Sequence, residues 1–193
     1  MTDPRTVRRV VTGHDSAGRS RVVDDRNVEA ITSALMPGFV AYQLWGRDEP
    51  PAFPDDGSPS DVETWFPPRE GSRFLIITHG PEGLAPPPGV DTAAATAELE
   101  RQMPGVLASM EPDGSGMHVT DTMDYLLVVR GEATLELDDG ERAVLRPGDV
   151  VVQNGTRHVW RNYGTEPCTV VAVAVGADRR PPRTENADVG VRS

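Results

Sequence analysis

Short apolar runs separated by turn residues recur through the second half of the chain. After Glu111, segments of strand-forming residues follow one another roughly every 8 to 12 residues, a spacing typical of a β-sandwich or a small β-barrel. These segments are 117–129, 133–137, 142–145, 149–153, 157–162 and 168–175. Asp138-Asp139-Gly140 and Pro147-Gly148-Asp149 lie between such runs and predict tight turns.

The first half of the chain predicts fewer strands and a single helical region. Strand patterns cover 8–12, 21–23, 39–45 and 72–78, with proline-rich loops at 50–60 and 81–89. Asp91 or Thr92 can cap a helix whose alanine-rich sequence runs to Met103, and Pro104 then interrupts it. We expect a single domain over 1–193 that consists of four parts. They are strands and loops over 1–90, a helix over 91–110, a barrel core over 112–176 and a flexible tail over 177–193.

Composition narrows the possible functions. The 193 residues carry a formal net charge of -11, and all 19 basic residues are arginines. Without lysine there is no Schiff-base chemistry and no phosphate-loop lysine. The acidic balance argues against a nucleic-acid partner, and no apolar stretch approaches the ~18 residues of a membrane span. Cys168 is the only cysteine and no signal peptide is apparent, so we expect a cytoplasmic protein.

Two histidines and a carboxylate in the strand-rich half form a candidate metal site. His118, Thr120 and Asp124 are separated by even numbers of residues, so in an extended segment their side chains lie on one face. His158 on a later strand can join them. His118, Asp124 and His158 would supply two nitrogens and one carboxylate oxygen, a set that suits Fe²⁺ and also catalytic Zn²⁺, Mn²⁺ or Ni²⁺.

The spacing of these residues resembles the two motifs of the cupin superfamily. His118-Val119-Thr120-Asp121-Thr122-Met123-Asp124, followed after six residues by Gly131, is similar to the first motif. Pro147-Gly148-Asp149 and then Gly155-Thr156-Arg157-His158-Val159-Trp160-Arg161-Asn162 are similar to the second. The resemblance covers about residues 112–176. It implies an all-β fold, the double-stranded β-helix or cupin jelly-roll barrel, here with extra N-terminal strands and one short helical segment. It also implies a metal ion in the barrel mouth and usually a homodimer.

The sequence departs from the motifs at three positions. Thr120 stands where the first motif has its second histidine, Asp124 is one methylene shorter than the usual glutamate, and Gln153 replaces a proline. A threonine hydroxyl is a poorer ligand than imidazole, so three candidate ligands remain instead of four. Either the fourth place is open to water or substrate, or the pocket holds no metal.

Other side chains near the motifs are candidates for substrate binding. Thr120 belongs to this set, as does Trp160, which shares the parity of His158, although core packing is an alternative role for Trp160. Arg130 shares the parity of Asp124 and could bind an anionic substrate, or else form an ion pair at the rim. Arg157 is the second arginine expected near the mouth. His79 ends a strand, where an ordinary surface or strand-end role is expected, but it could reach the barrel mouth if the N-terminal strands cover it.

Two hypotheses for function remain. The first is a metal-dependent enzyme that acts on a small oxygenated metabolite, such as a hydroxy or keto acid or a phenolic compound. With Fe²⁺, slightly favoured by the ligand set, it would be an oxygenase or other oxidoreductase. With Zn²⁺, Mn²⁺ or Ni²⁺ it would be a decarboxylase or dehydratase-type lyase. The second is a non-catalytic protein that binds a small molecule without a functional metal. Thr120 supports this hypothesis because it stands where the motif has a histidine ligand.

Overall fold

The computed structural model describes residues 6–181, in which strands predominate. The strands are β1 (Thr6–His14), β2 (Ser20–Glu29), β3 (Ile31–Thr32), β4 (Val40–Arg47), β5 (Ser72–His79), β6 (Thr122–Arg130), β7 (Ala133–Glu136), β8 (Arg142–Leu145), β9 (Val150–Asn154), β10 (Val159–Arg161) and β11 (Cys168–Gly176). The helices are α1 (Thr92–Gln102) and α2 (Val106–Ser109). In this part of the chain no helix is long and apolar enough to cross a membrane.

Two antiparallel sheets form the body of the molecule. The larger has six strands in the order β3-β4-β5-β11-β6-β9, and the smaller has three in the order β10-β7-β8. Buried side chains of both sheets, such as Leu75 and Val170 in the larger and Leu135 and Leu145 in the smaller, belong to one apolar core. This all-β arrangement is the jelly-roll barrel that the sequence predicted. A separate hairpin of β1 and β2 lies beside it.

The six-stranded sheet includes strands from the N-terminal part of the chain. β5 pairs with β11 over its whole length, from Ser72 opposite Val175 to His79 opposite Cys168. The barrel therefore extends beyond the predicted core of 112–176. Local patterning predicted the strand at 72–78 but not its partner, because a pairing between segments so far apart in sequence leaves no local signal. Of the predicted tail, residues 182–193 lie outside the described residues.

The helical region closes one side of the core. Asp91 caps α1 by accepting a hydrogen bond from the Ala94 amide at 3.1 Å, as its position in the sequence predicted. Leu99 is the buried residue of α1, and Met103 just after the helix is 2% exposed. Gly105 adopts φ 82° between the helices. This left-handed turn lets α2 bring Val106 into the core beside Met103.

Residues 117–121 were expected to belong to a strand, but β6 begins only at Thr122. His118 instead makes two isolated bridges, one to Met110 and one to His158. The Thr120 hydroxyl hydrogen bonds to the Thr122 hydroxyl at 2.8 Å, so polar side chains in this segment find local partners.

A buried arginine fastens the loop between β4 and β5 to the sheet. The Arg73 side chain is fully buried and donates to the Asp48 carboxylate at 2.6 Å and to the Thr64 carbonyl at 2.7 Å. The two residues after Thr64, Trp65 and Phe66, pack in or against the core. Arg73 therefore fixes the position of the β4–β5 loop, whose Trp65 and Phe66 side chains pack in the interior.

Candidate functional site

A cavity of about 270 Å³ lies between the sheets and the helical region. Its wall is formed mostly by apolar side chains, including Leu126 on β6, Val170 and Ala172 on β11, and Val106 on α2. Among the described residues that line it, the titratable ones are His79, His118, Asp124 and His158. The cavity thus combines a hydrophobic wall with one small polar group of side chains, the usual composition of a small-molecule site.

The backbone brings His118 and His158 together. Each residue donates its amide to the carbonyl of the other at 3.0 Å, and the two rings lie with centroids 4.3 Å apart. Each Nδ1 also meets a backbone carbonyl, that of Gly116 at 3.0 Å and that of Thr156 at 2.9 Å. Because a carbonyl only accepts, both Nδ1 atoms carry the proton, and both Nε2 atoms keep a free lone pair.

Burial keeps these imidazoles neutral. Desolvation, with a contribution from His118, lowers the pKa of His158 to about 4. Desolvation also lowers the pKa of His118, against an opposing hydrogen bond to the Gly116 carbonyl. At neutral pH both rings are therefore lone-pair donors, which is the state that a metal ion or a substrate hydroxyl requires.

Asp124 supplies the carboxylate of the cavity. Its Oδ1 atom is buried and has no hydrogen-bond partner, and burial raises its pKa while a hydrogen bond from Thr122 opposes the shift. A buried carboxylate oxygen without a partner is unfavourable. The unsatisfied Oδ1 atom is therefore available to a ligand, whether a cation or a donor group of a substrate.

The donor set fits a divalent ion in part. Both imidazoles are neutral, with a free Nε2 atom and an Nδ1–H group that donates to a backbone carbonyl. Metal-binding histidines usually have the same arrangement, because the hydrogen bond from the second nitrogen orients the ring. Within residues 6–181, however, no three His, Cys, Asp or Glu side chains are grouped closely enough to hold an ion. The structure places His118, Asp124 and His158 around one cavity, and their joint role as ligands stays a prediction.

Three of the other candidate residues lie elsewhere. Thr120 is 5% exposed, lines a different groove, and its hydroxyl bonds to Thr122 rather than facing the histidines. Arg130 is exposed and 3.8 Å from Glu166, the rim ion pair that was the alternative reading. Arg157 is held by Glu111 and Asp138. Neither arginine lines the cavity, and an anion-binding role for Arg130 stays a prediction.

His79 and Trp160 form a stacked pair at the edge of the cavity. Their ring centroids are 6.1 Å apart with the planes 8° from parallel, and Phe39 packs edge-on with His79. Burial, together with His118, lowers the pKa of His79 to about 4. Asn162 holds this edge because its Nδ2 atom donates to the His79 carbonyl at 3.0 Å and to the Glu166 carbonyl at 2.8 Å.

The sequence pattern could have identified His79 as a site residue. It shares the parity of Leu75 and Ile77 on β5, and both of these side chains line the cavity. Its position at the end of the strand instead favoured an ordinary strand-end role. Trp160, a candidate on the same kind of argument with core packing as the alternative, lines the cavity and also packs against the core.

The depressed histidine pKa values predict a specific pH dependence of stability in the metal-free protein. Because His158 titrates at about 4 when folded and near 6.5 when unfolded, its contribution is fully present above pH 6.5. It is lost as the pH falls through this window, and His79 acts in the same direction. The raised pKa of Asp124 opposes part of the loss. Urea unfolding at about pH 7 and about pH 4.5 should show a decrease of roughly 1–3 kcal/mol.

The matched variant for this prediction is His158→Gln, which keeps a polar side chain but does not titrate. Its free energy of unfolding should fall less than that of the original chain over the same pH interval. Equal losses in both proteins would contradict the assignment to His158.

Comparison with known proteins adds a family and several relatives. Residues 106–174 match the profile described as the cupin domain. Phomopsin biosynthesis cluster protein C' of Diaporthe leptostromiformis is 31% identical over 159 residues, which cover 82% of this chain and 71% of that protein. The cupin-domain-containing oxidoreductase srdD of Neurospora crassa is 44% identical over 62 residues, 31% of this chain and 32% of that protein. Among solved structures, the polyketide cyclase RemF of Streptomyces resistomycificus has a TM-score of 0.42 at 16% identity, covering 80% of this chain and 77% of that one.

Proposed function

The chain belongs to the cupin family, and on this premise we propose that it is an oxidoreductase acting on a small, mainly apolar organic molecule that carries an oxygen substituent. The observation that carries the proposal is the cavity, whose otherwise hydrophobic wall includes the side chains of His118, His158 and Asp124. The reaction class draws support from relatives named cupin-domain-containing oxidoreductases and from others named as biosynthesis cluster proteins.

The wall limits the size and charge of the substrate. A volume of about 270 Å³ lies at the lower end of the range of small-molecule sites and suits a molecule built around a single ring. Trp65, Phe66 and Trp160 offer aromatic surface to such a ring. No arginine is among the described lining residues, and the chain has no lysine. A neutral phenolic, alcohol or aldehyde substrate therefore fits better than a hydroxy or keto acid.

A divalent ion, with Fe²⁺ as the first candidate, would be held by the Nε2 atoms of His118 and His158, with the Asp124 carboxylate as the third ligand. Zn²⁺, Mn²⁺ and Ni²⁺ suit the same donors. When bound, such an ion would supply Lewis-acid polarisation of a substrate oxygen and the redox chemistry of the reaction, with dioxygen as the oxidant.

The chain's own residues contribute in other ways. The carbonyls of Gly116 and Thr156 hold the two imidazoles in the tautomer that presents Nε2 to the cavity. The hydrophobic wall excludes water, which strengthens every polar interaction inside. The Asp124 Oδ1 atom can accept a hydrogen bond from a substrate hydroxyl, because it has no partner within the protein.

Substrate would enter past the stacked pair. Met36, Phe39, His79 and Trp160 line both the cavity and a surface groove of about 260 Å³. These four side chains therefore form the partition between the interior and the surface. The loop at 80–84 borders the outer groove and would meet the part of a substrate that extends from the cavity.

One observation favours a second candidate, a binding protein that needs no metal. Among the residues that the structure describes, no group of three metal-ligating side chains is present. In this alternative the same cavity binds the same class of molecule without turnover, and divalent ions give no stabilisation.

The substrate class is tested by thermal unfolding with benzyl alcohol, benzaldehyde and a hexitol as probes. Because the wall is apolar, we expect the two aromatic compounds to raise the Tm of the original chain and the hexitol to leave it unchanged. Ala172→Leu fills part of the cavity and should abolish the shift. Val173→Leu, the next residue on β11 but with its side chain on the outer side of the sheet, is the matched control and should keep it.

The oxidoreductase assignment needs a separate readout. Protein loaded with Fe²⁺ is incubated in air with the same alcohol and aldehyde, and the products are examined by mass spectrometry. Loss of two hydrogens or gain of one oxygen supports the proposal. Binding without any change in mass, with no Tm shift from divalent ions, supports the metal-free binding protein instead.

A further inference from the structure

We propose that His79 is a specificity-determining residue that binds a second polar group of the substrate. The inference rests on the proposed function and narrows its substrate class, because His79 lines the same cavity as His118 and His158, the histidine pair. The substrate would be a neutral aromatic molecule with an oxygen substituent at each end of its ring. One oxygen would lie beside the histidine pair and the other beside His79.

His79 is held differently from the histidine pair, in which each Nδ1 atom meets a backbone carbonyl. Its ring is held by aromatic contacts, because it stacks on Trp160 and packs edge-on with Phe39, with ring centroids 6.1 and 6.2 Å away. Among residues 6–181, no hydrogen bond reaches a nitrogen of this ring, and the bond from Asn162 goes to the His79 backbone carbonyl. Both ring nitrogens are therefore open to a ligand.

Strand alternation directs the His79 side chain into the cavity. Leu75, Ile77 and His79 are two residues apart on β5, and all three line the cavity wall. His79 also borders the outer groove, which Leu75 and Ile77 do not. The imidazole therefore lies at the end of the cavity that faces the groove, where the apolar wall of β5 gives way to a polar group.

The pairing of β11 with its two neighbours places His79 and Asp124 at opposite ends of one wall. His79 lies opposite Cys168, and Asp124 lies opposite Ala174, six residues further along β11. Six residues of extended strand correspond to roughly 20 Å. The β11 side chains that line the cavity along this length are small and apolar: Val170, Ala172 and Ala174. The cavity thus has an elongated apolar wall with a polar side chain near each end.

The separation between His79 and the histidine pair suits a ring that is substituted at opposite ends. His158 and Trp160 are two residues apart in extended backbone, and the ring of His79 lies 6.1 Å from that of Trp160. The His79 ring is therefore on the order of 10 Å from that of His158. A benzene ring with an oxygen at each end and one hydrogen bond from each oxygen spans roughly 12 Å. Such a molecule can contact His79 and the histidine pair at once.

The chemistry of the imidazole indicates which group would bind at this end. A neutral imidazole has one N–H donor and one acceptor nitrogen, so it can bond to a hydroxyl through either nitrogen. It offers no positive charge to a carboxylate, and no described residue of the cavity wall is an arginine. A substrate that ends in a methyl group here would leave the imidazole without a partner in a site that excludes water, which is unfavourable. His79 would thus select a hydroxyl over a methyl group.

The test compares 4-hydroxybenzyl alcohol with 4-methylbenzyl alcohol, in which a methyl group of similar size replaces the phenolic hydroxyl. Calorimetric titration of the metal-free full chain should give a Kd about 10-fold lower for the first compound. His79→Phe keeps an aromatic ring beside Trp160 but removes both nitrogens, so this preference should disappear while 4-methylbenzyl alcohol still binds. His79→Gln supplies a donor and an acceptor again and should keep a preference of at least about 3-fold.

His14→Phe is the matched control, because the His14 ring also packs against a phenylalanine but lies outside the cavity wall, and it should keep the full preference. If His79→Phe does not fold, His79→Leu is measured with the same expectation. Equal Kd values for the two alcohols in the original chain would overturn the inference and leave the proposed function standing. Equal weakening of both alcohols by His79→Phe would show a structural role and overturn it too. Binding of neither alcohol by the original chain would overturn the inference together with the proposed substrate class.

Discussion

Replacing His158 with alanine is expected to lower the affinity for Fe²⁺ or Mn²⁺ by at least about 100-fold, because loss of a ligand costs more than loss of the groups that orient one. His158 is 4% exposed, its Nε2 atom is free, and its backbone is fixed to that of His118 by two hydrogen bonds. The measurement is metal content per chain after anaerobic loading, together with calorimetric titration of Mn²⁺. His118→Ala should behave in the same way.

The matched control for that experiment is His14→Ala. His14 lies at the end of β1, and its Nδ1 atom contacts the backbone of Asp55 rather than the cavity. Its removal should leave metal affinity unchanged. If the His118 and His158 variants retain the metal content of the original chain, these histidines are not ligands and the metal-dependent mechanism fails. The substrate-binding prediction for Ala172→Leu would stand separately.

Replacing Arg73 with methionine should reduce the free energy of unfolding by about 3–5 kcal/mol. The guanidinium is fully buried and satisfies both the Asp48 carboxylate and the Thr64 carbonyl. Without it, these acceptors lose a charged donor and the loop that carries Trp65 loses its attachment to the sheet. Urea unfolding followed by tryptophan fluorescence measures the change.

Arg101 provides the comparison for this stability effect. It forms an ion pair with Glu98 on α1, at 2.6 Å like that of Arg73, but 71% of its side chain is exposed. Arg101→Met should therefore leave the free energy of unfolding nearly unchanged. Similar losses in the two variants would mean that the buried contacts of Arg73 do not stabilise the loop.

Much of the fold could be predicted because the second half of the chain repeats a local pattern. The strands from β6 to β11 lie close to their expected positions, since strand length and turn residues are local properties. The pairing of β5 with β11 could not be predicted in that way. It depends on segments that meet only in the folded chain, and so does the contribution of the N-terminal strands to the cavity wall.

Site residues could be predicted where the spacing of a motif identifies them. They could not be predicted where their position depends on how distant segments pack together. His118, Asp124 and His158 all line the cavity, as the motif spacing indicated. Thr120 does not line this cavity, because the parity argument assumed an extended strand, whereas the chain there makes isolated bridges. Arg130 forms the rim ion pair that was the alternative role for it. The parity argument for Arg130 counted residues from Asp124. The pairing of β6 with β11 shifts register between Thr169 and Val170, so the alternation of side chains does not continue to Arg130.

The reciprocal backbone hydrogen bonds between His118 and His158 have an evolutionary consequence. The separation of the two rings is set by main-chain atoms, which every amino acid possesses. The surrounding wall is built instead from side chains such as Val106, Leu126 and Ala172. Mutation can therefore reshape the wall, and so change which molecule is accepted, without moving the imidazoles. Reactivity and selectivity can be inherited separately in this fold.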